Sequence, residues 1–292
     1  MWTRQSLVYH FTTFFILMKK IVYLWLFLAV STLATAQKKI QSPAEFLGYE
    51  LGTKFTFHHR VIDYYEYVAQ QATERVKLIP YGTSFEGRPL LVAFVANESN
   101  LSQLEDIRTN NLKSIGLLEG KPTSKVPAIA WMSYNIHGNE AISSEAAMQV
   151  LYELLNTSNK LTQDVLKNTV VALDPCLNPD GFDRYVQWYN RYVSATPDFT
   201  LASVEHNEPW PGGRFNHYLF DLNRDWAWQT QKETQQRMRL YNSWMPHLHG
   251  DFHEMGPNST YYFAPSAKPY HENLTGWQRK FQEILGDYNK KH

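Results

Sequence analysis

The most constraining feature of this sequence is a nearly continuous apolar run over residues 126–136, which leads directly into His137-Gly138-Asn139-Glu140. The run is rich in β-branched and aromatic residues, a composition typical of a strand that is buried on both faces of a sheet. In open α/β sheets, ligands bind outside the carboxyl ends of such strands. The polar segment therefore marks the place where we expect a functional site.

Other segments extend this pattern into an alternation of strands and helices. Further strands are predicted at residues 169–173 and 246–252, and residues 90–95 are predicted as the return strand of a β-hairpin. Helices are predicted at 64–76, 147–155 and 277–288. We therefore predict one α/β domain, built on a mixed, largely parallel sheet with helices on both faces.

The charge balance and the cysteine content exclude several classes of protein. The 292 residues include 28 basic and 28 acidic side chains, so the formal net charge is zero. Such a balance provides no electrostatic attraction for nucleic acid, and we expect no nucleic-acid partner. Cys176 is the only cysteine, which excludes an internal disulfide and leaves the fold dependent on its core.

The amino terminus has the composition of a secretory signal peptide. Two lysines precede an apolar run over residues 21–30, and an Ala-Thr-Ala cleavage site ends at Ala36. The apolar run is short for a membrane span. We predict a signal peptide over residues 18–36 and, over residues 1–17, an upstream extension from an incorrect start site. The protein is then expected to be secreted or periplasmic, without a stable membrane span after cleavage.

Candidate metal ligands follow two of the predicted strands. His137 and Glu140 are three residues apart, a spacing that can bring an imidazole and a carboxylate to one metal ion, although a solvated loop can show the same spacing. His253 closes the third buried strand and should lie at the same sheet edge. Two imidazoles, one carboxylate and a water molecule suit a catalytic zinc ion. His247 and His249 lie earlier in that strand, and we assign them to packing or to hydrogen bonding behind the ligands.

Two more polar motifs stand between these candidates. Asn-Pro-Asp-Gly at residues 178–181 follows the second buried strand and by itself predicts a turn. Asp-Leu-Asn-Arg-Asp-Trp at 221–226 comes after Gly-Gly-Arg at 212–214, and by itself it predicts a surface loop with a charge pair. The chain therefore contains, in this order, His-x-x-Glu, Asn-Pro-Asp-Gly, Asp-x-Asn-Arg-x-Trp and a strand-borne His.

The ordered set of motifs resembles that of the zinc carboxypeptidases, the carboxypeptidase A-like metallopeptidases, over roughly residues 55–292. The resemblance implies one zinc ion per chain, with His137, Glu140 and His253 as its ligands. It also implies that Asp221 orients the first ligand histidine and raises its basicity.

The same resemblance implies roles in substrate binding. Asn223 and Arg224 match the pair that binds the terminal carboxylate of a peptide substrate, a task that suits the planar guanidinium group. Arg214 matches the residue that polarises the scissile carbonyl and stabilises the oxyanion. Arg184 and Arg191 are competing candidates for that role.

Two departures from the family pattern bear on function. Asn139 stands where the pancreatic enzymes have an arginine, so one cationic contact with the substrate is missing. The general base of the family, a glutamate on a strand downstream of the last ligand, is not found among the 39 residues that follow His253. We therefore expect residues 37–292 to be a metallocarboxypeptidase-like catalytic domain that is incomplete at its carboxyl end.

The leading hypothesis is an exported zinc metallopeptidase that hydrolyses peptide bonds near a free C-terminal carboxylate by zinc-activated water. One alternative keeps the zinc site and changes the substrate to cell-wall peptides that contain D-amino acids. Another is a non-catalytic fragment that binds peptides, since the general base is not found. A last alternative is an α/β protein whose histidines are structural, if the motifs coincide by chance.

Overall fold

The structure is a computed structural model that describes residues 18–20, 40–123, 126–196, 198–256, 258–260, 262 and 264–291. Most of the predicted signal peptide (18–36) and the whole predicted extension (1–17) lie outside the described residues. No helix in these described ranges is long and apolar enough to cross a membrane.

The strands are β1 (Val76–Thr83), β2 (Pro89–Val95), β3 (Ala128–Tyr134), β4 (Thr169–Asp174) and β5 (Leu248–Phe252). The helices are α1 (Pro43–Leu47), α2 (His58–Gln71), α3 (Glu98–Ser102), α4 (Leu104–Ser114), α5 (Ile142–Leu155), α6 (Lys160–Asn168), α7 (Pro179–Tyr192), α8 (Lys232–Trp244) and α9 (Gly276–Lys291). Two 3-10 turns, Val204–His206 and Leu222–Arg224, lie between α7 and α8.

The five strands form one mixed sheet in the order β1-β2-β4-β3-β5, which confirms the predicted class of fold. β3 pairs in parallel with β4 on one side and with β5 on the other. Fewer strand pairs are parallel than predicted, since β1–β2 and β2–β4 are antiparallel pairs. The segment between β1 and β2 is a tight turn, too short for the crossover that a parallel pair requires.

Helices cover both faces of this sheet, as predicted. Along β2, Leu91, Ala93 and Val95 belong to one core and Val92 and Phe94 to the other, because successive side chains of a strand point to opposite faces. Helices α2, α5 and α7 contribute to the first core, and α4 and α8 to the second. The end of β3, which leads to His137 and Glu140, is therefore supported from both sides.

The four predicted strands are all present, with ends that differ from the prediction by at most two residues. The helix predicted at 64–76 instead begins at His58 and ends at Gln71, since Val76 starts β1. The Asn-Pro-Asp-Gly motif, predicted as a turn, begins α7: Asn178 accepts a hydrogen bond from the Gly181 backbone nitrogen (3.1 Å). Asn as the helix cap and Pro in the first turn are common at helix starts. The local sequence therefore does not distinguish a turn from the start of a helix.

A polar group of side chains is buried behind the carboxyl ends of the strands. Arg237 of α8 is 1% exposed, and Asp174 at the end of β4 is fully buried. Tyr81 donates a hydrogen bond to Asp174 (3.2 Å), while the guanidinium of Arg237 has no hydrogen-bond partner among the described residues. Burial raises the pKa of Asp174 to about 7, although the nearby charge of Arg237 opposes this shift.

Asp174 should make the folded state less stable as the pH rises. Its pKa in the folded state is higher than the ordinary value of about 3.9, so its stabilising contribution is present below about pH 4 and is lost as the pH rises toward 7. We therefore expect Asp174→Asn to gain stability relative to the wild type between about pH 5 and pH 8. Urea denaturation measures this, and a difference in unfolding free energy that stays constant over that interval would contradict it.

Candidate metal centre

The loop after β3 folds the His-x-x-Glu motif back on itself. Asn135 adopts a left-handed backbone conformation (φ 57°), which asparagine tolerates better than most residues, and its side chain donates to the Glu140 carbonyl (3.0 Å). The Glu140 backbone nitrogen donates to the His137 carbonyl (3.0 Å). These bonds place His137 Nδ1 2.7 Å from Glu140 Oε1.

The same loop is joined closely to the start of α7 and to the 212–214 segment. A Cβ atom on Gly138 would lie only 2.2 Å from the backbone nitrogen of Phe182, so glycine is required for this approach. Asn178 Nδ2 donates to the carbonyls of Ile136 (3.2 Å) and Arg214 (3.1 Å). The Asn-Pro-Asp-Gly motif is therefore the scaffold that holds the other motifs together.

The three predicted ligands come together at the edge of the sheet. One potential ligand atom from each of His137, Glu140 and His253 lies within 4.8 Å of the others. His253 follows β5, the parallel neighbour of β3, and its Nδ1 lies 3.0 Å from Glu140 Oε2. Two imidazoles and a carboxylate, with a further position left for water, form the donor set of a catalytic zinc ion. These residues therefore fit zinc, and we refer to them as the triad.

In each histidine of the triad, Nδ1 faces Glu140 and Nε2 faces another carboxylate; we call Nε2 the outer nitrogen. His137 Nε2 lies 3.1 Å from Asp221 Oδ1, which is the contact expected of Asp221. The other oxygen of Asp221 accepts a hydrogen bond from Arg214 Nη2 (2.9 Å). His253 Nε2 lies 3.1 Å from Asp251 Oδ2. The sequence motifs assign no role to Asp251.

Hydrogen bonds shift the pKa values of His253 and Glu140. Those to Asp251 and then to Glu140 raise the pKa of His253 to about 10. Burial raises the pKa of Glu140, but hydrogen bonds from His137 and His253 outweigh it, so that the pKa is lowered overall. Because a metal ion binds neutral histidine, it would take the place of the proton on His253.

The predicted substrate-binding pair stands beside the triad. Asn223 Nδ2 lies 3.3 Å from His253 Nε2, and Asn223 Oδ1 accepts a hydrogen bond from the Trp226 indole nitrogen (3.0 Å). Arg224 is exposed, and its guanidinium donates to the Asn223 carbonyl (3.3 Å). Asn223 therefore lies next to the triad, and Arg224 contacts the backbone of Asn223.

The structure separates the three arginines considered for oxyanion stabilisation. Arg214 pairs with Asp221 and retains 37% side-chain exposure. Arg184 donates to three backbone carbonyls of the 212–216 segment and therefore holds that loop. Arg191 lies exposed in the last turn of α7. Arg214 alone among the three contacts a residue that contacts the triad.

His247 and His249 lie outside the triad, as predicted. His247 Nδ1 accepts a hydrogen bond from the Ile129 backbone nitrogen (3.1 Å), and His249 Nε2 lies 3.0 Å from Ser133 Oγ. Burial lowers the pKa of His249. Both histidines therefore have structural partners between β3 and β5.

Three carboxylates outside the triad lie close to it, and each has a partner. Asp221 and Asp251 face the two histidines. Glu254 Oε1 accepts a hydrogen bond from the Ile142 backbone nitrogen (2.8 Å), at the start of α5, and its own backbone nitrogen donates to Glu140 (3.0 Å). We assign none of these three carboxylates as the general base.

The fold and the triad define an α/β protein with a candidate metal site at the carboxyl edge of its sheet. The sequence profile of the zinc carboxypeptidase family matches residues 61–254, a range that includes the triad and every predicted substrate-binding residue. The chain belongs to the zinc carboxypeptidase family.

Two relatives and one solved structure show how far this similarity extends. The chain is 27% identical to Carboxypeptidase E of Caenorhabditis elegans over 161 residues, which cover 54% of this chain and 26% of that protein. It is 24% identical to Carboxypeptidase 2 of Trichophyton rubrum over 143 residues, which cover 47% and 21% of the two chains. A Burkholderia mallei crystal structure described as a carboxypeptidase matches with a TM-score of 0.54 at 16% identity, over 80% of this chain and 48% of that one. The chain thus spans about a quarter of the length of the two relatives, and the structural match confirms the fold.

Gly138→Ala should damage the fold and the metal centre together. The added Cβ would overlap the α7 backbone, so the loop that carries His137 must move. We expect a loss of about 3 kcal/mol in unfolding free energy and a zinc affinity lower by about tenfold or more. Gly256→Ala is the matched control, because a Cβ there meets only Ser259 Oγ at 3.4 Å. Equal effects of the two substitutions on zinc affinity would contradict the role of Gly138.

Proposed function

We propose that this protein is an exported zinc peptidase of the carboxypeptidase type, which hydrolyses peptide bonds near a free C-terminal carboxylate. The observation that carries the proposal is the convergence of His137, Glu140 and His253 in a chain of the zinc carboxypeptidase family. Because the chain spans about a quarter of the relatives it matches, its own activity is part of the proposal.

The residues around the triad would prepare it for hydrolysis. Zinc in such a site polarises the scissile carbonyl and lowers the pKa of a bound water toward about 7. Asp221 would keep the proton of His137 on Nε2, so that Nδ1 is available as a ligand. Arg214 uses Nε and Nη2 to bind Asp221, which leaves Nη1 to donate to the oxygen on which negative charge develops. We assign no general base.

Arg224 and Asn223 would select the substrate. The guanidinium of Arg224 is a planar fork that can bind both oxygens of a carboxylate, and Arg224 is exposed next to Asn223, which contacts the triad. Asn223 adds an amide donor next to His253. A peptide whose terminal carboxylate binds here would present one of its last bonds to the triad, and this would limit cleavage to the C-terminal end.

A second candidate substrate is a cell-wall peptide that contains D-amino acids. The specific observation is Asn139, whose Nδ2 donates to Glu208 (2.9 Å) where the pancreatic enzymes have an arginine. With an acidic group in place of a cationic contact, the recognition of the substrate would differ from ordinary C-terminal trimming. The third candidate, a peptide-binding fragment without catalysis, is supported by the unassigned general base.

Assays with a free peptide, the same peptide amidated and a peptidoglycan fragment distinguish the three candidate functions. The zinc-loaded protein should hydrolyse a peptide with a free C-terminus, but not the same peptide with an amidated C-terminus. Arg224→Ala should raise KM by about 30-fold with a smaller change in kcat, because a charged hydrogen-bonded contact of about 2 kcal/mol is lost. Arg191→Ala, an exposed arginine on α7, is the control and should change neither constant.

The other outcomes identify the alternatives. Hydrolysis of a peptidoglycan fragment that ends in D-alanine, without cleavage of the ordinary peptide, would favour the cell-wall substrate. Binding of the free-carboxylate peptide without any turnover would favour the peptide-binding fragment. Equal hydrolysis of the free and the amidated peptide would contradict carboxylate recognition by Arg224.

Export and the domain limits are also proposals. They are supported by the composition of residues 18–36, in which basic residues, an apolar run and an Ala-x-Ala site follow one another. Amino-terminal sequencing of exported protein should give Gln37 as the first residue of a catalytic domain that spans residues 37–292. A mature chain that begins before Lys19 would rule out this signal peptide.

A further inference from the structure

We propose that Asp251 is the positioning residue of His253, and that it holds the imidazole in its metal-binding form against a competing donor, Asn223. The inference rests on the proposed zinc site. It concerns Nε2 of His253, which lies within hydrogen-bond distance of two different side chains.

Asp251 and Asn223 favour opposite forms of the same ring. His253 Nε2 lies 3.1 Å from Asp251 Oδ2 and 3.3 Å from Asn223 Nδ2. A carboxylate can only accept a hydrogen bond and an amide nitrogen can only donate one. Asp251 therefore favours a proton on Nε2, which leaves the lone pair of Nδ1 for the metal. Asn223 favours the tautomer in which Nδ1 carries the proton and cannot be a ligand.

The orientation of the Asn223 amide is set by its neighbours. Asn223 Oδ1 accepts the hydrogen bond of the Trp226 indole (3.0 Å), so Nδ2 must face the imidazole. The guanidinium carbon of Arg237 lies 4.0 Å from the centre of the Trp226 ring. The competing donor is therefore held in place, and a stronger acceptor is needed to keep His253 in the form that binds metal.

Asp251 has the charge environment that this role requires. It lies on β5, two residues before His253, which follows the end of the strand. Asp251 Oδ1 is buried, and within the described part of the chain it has no hydrogen-bond partner. The buried guanidinium of Arg237 interacts electrostatically with the Asp251 carboxylate. A carboxylate is a stronger hydrogen-bond acceptor than a neutral oxygen.

The two histidines of the triad have similar partners. His137 faces Asp221, and Arg214 binds Asp221. His253 faces Asp251, and the charge of Arg237 acts on Asp251. In each case an arginine supports a carboxylate that orients a histidine, although the two arginines come from different parts of the chain.

A double-mutant cycle on zinc affinity tests this inference. Chelator competition should show a 10- to 100-fold weaker affinity for Asp251→Ala, the range typical of lost carboxylate partners of ligand histidines. Asn223→Ala should bind zinc as tightly as the wild type. The double variant should recover at least about fivefold of the loss, because the competing donor is gone. Long-range ¹H–¹⁵N NMR of the zinc-loaded wild type should show the His253 proton on Nε2.

Asp174→Asn is the matched control, since Asp174 also lies in the field of Arg237 but bonds to Tyr81 rather than to a histidine. It should keep zinc affinity within about threefold of the wild type. An equal loss in Asp174→Asn and Asp251→Ala, or no recovery in the double variant, would overturn the positioning role. If the wild type binds zinc and Asp251→Ala binds it equally well, the inference fails while the zinc site stands. If the wild type binds no zinc, the proposed function fails first.

Discussion

The parallel pairing of β3 with β5 is the constraint on which the metal centre depends. Its register places Ser133 opposite Asp251 and Tyr134 opposite Phe252, so the two strands end at the same level. The residues that follow them, His137 and His253, then face the same point at the sheet edge. A shift of one residue would send His253 to the opposite face and separate the ligands. β3 has buried residues in both cores, which fixes the face to which each of its side chains points.

Glu140 links the two strands through hydrogen bonds. It contacts both histidines, and its backbone carbonyl accepts a hydrogen bond from Asn135 in the same loop. Without a metal, hydrogen-bond contacts between Glu140 and both imidazoles hold the site in a compact form. A zinc ion would take the place of these contacts with little rearrangement, because the outer nitrogens of both histidines already have carboxylate partners.

The ligands could be predicted because histidine and glutamate at strand ends have few structural uses, and the order of the motifs narrows the choice further. The role of Asp251 could not be predicted. Alternation along the strand puts it on the ligand face, but only the tertiary structure shows which atom it meets. Arg237 could not be found at all, since α8 is a polar sequence in which a buried arginine has no local signature. The Asn-Pro-Asp-Gly motif was misassigned because helix starts and turns use the same residues.

Zinc content is the most direct test of the central claim that His137, Glu140 and His253 form one metal site. Purified protein is equilibrated with zinc, freed of excess metal, and analysed by mass spectrometry of the element. We expect one zinc per chain in the wild type. We expect the same in His247→Ala, because His247 bonds to the Ile129 backbone and not to the triad. We expect no retained zinc in His137→Ala or His253→Ala. Stoichiometric zinc in His253→Ala would rule out this ligand set.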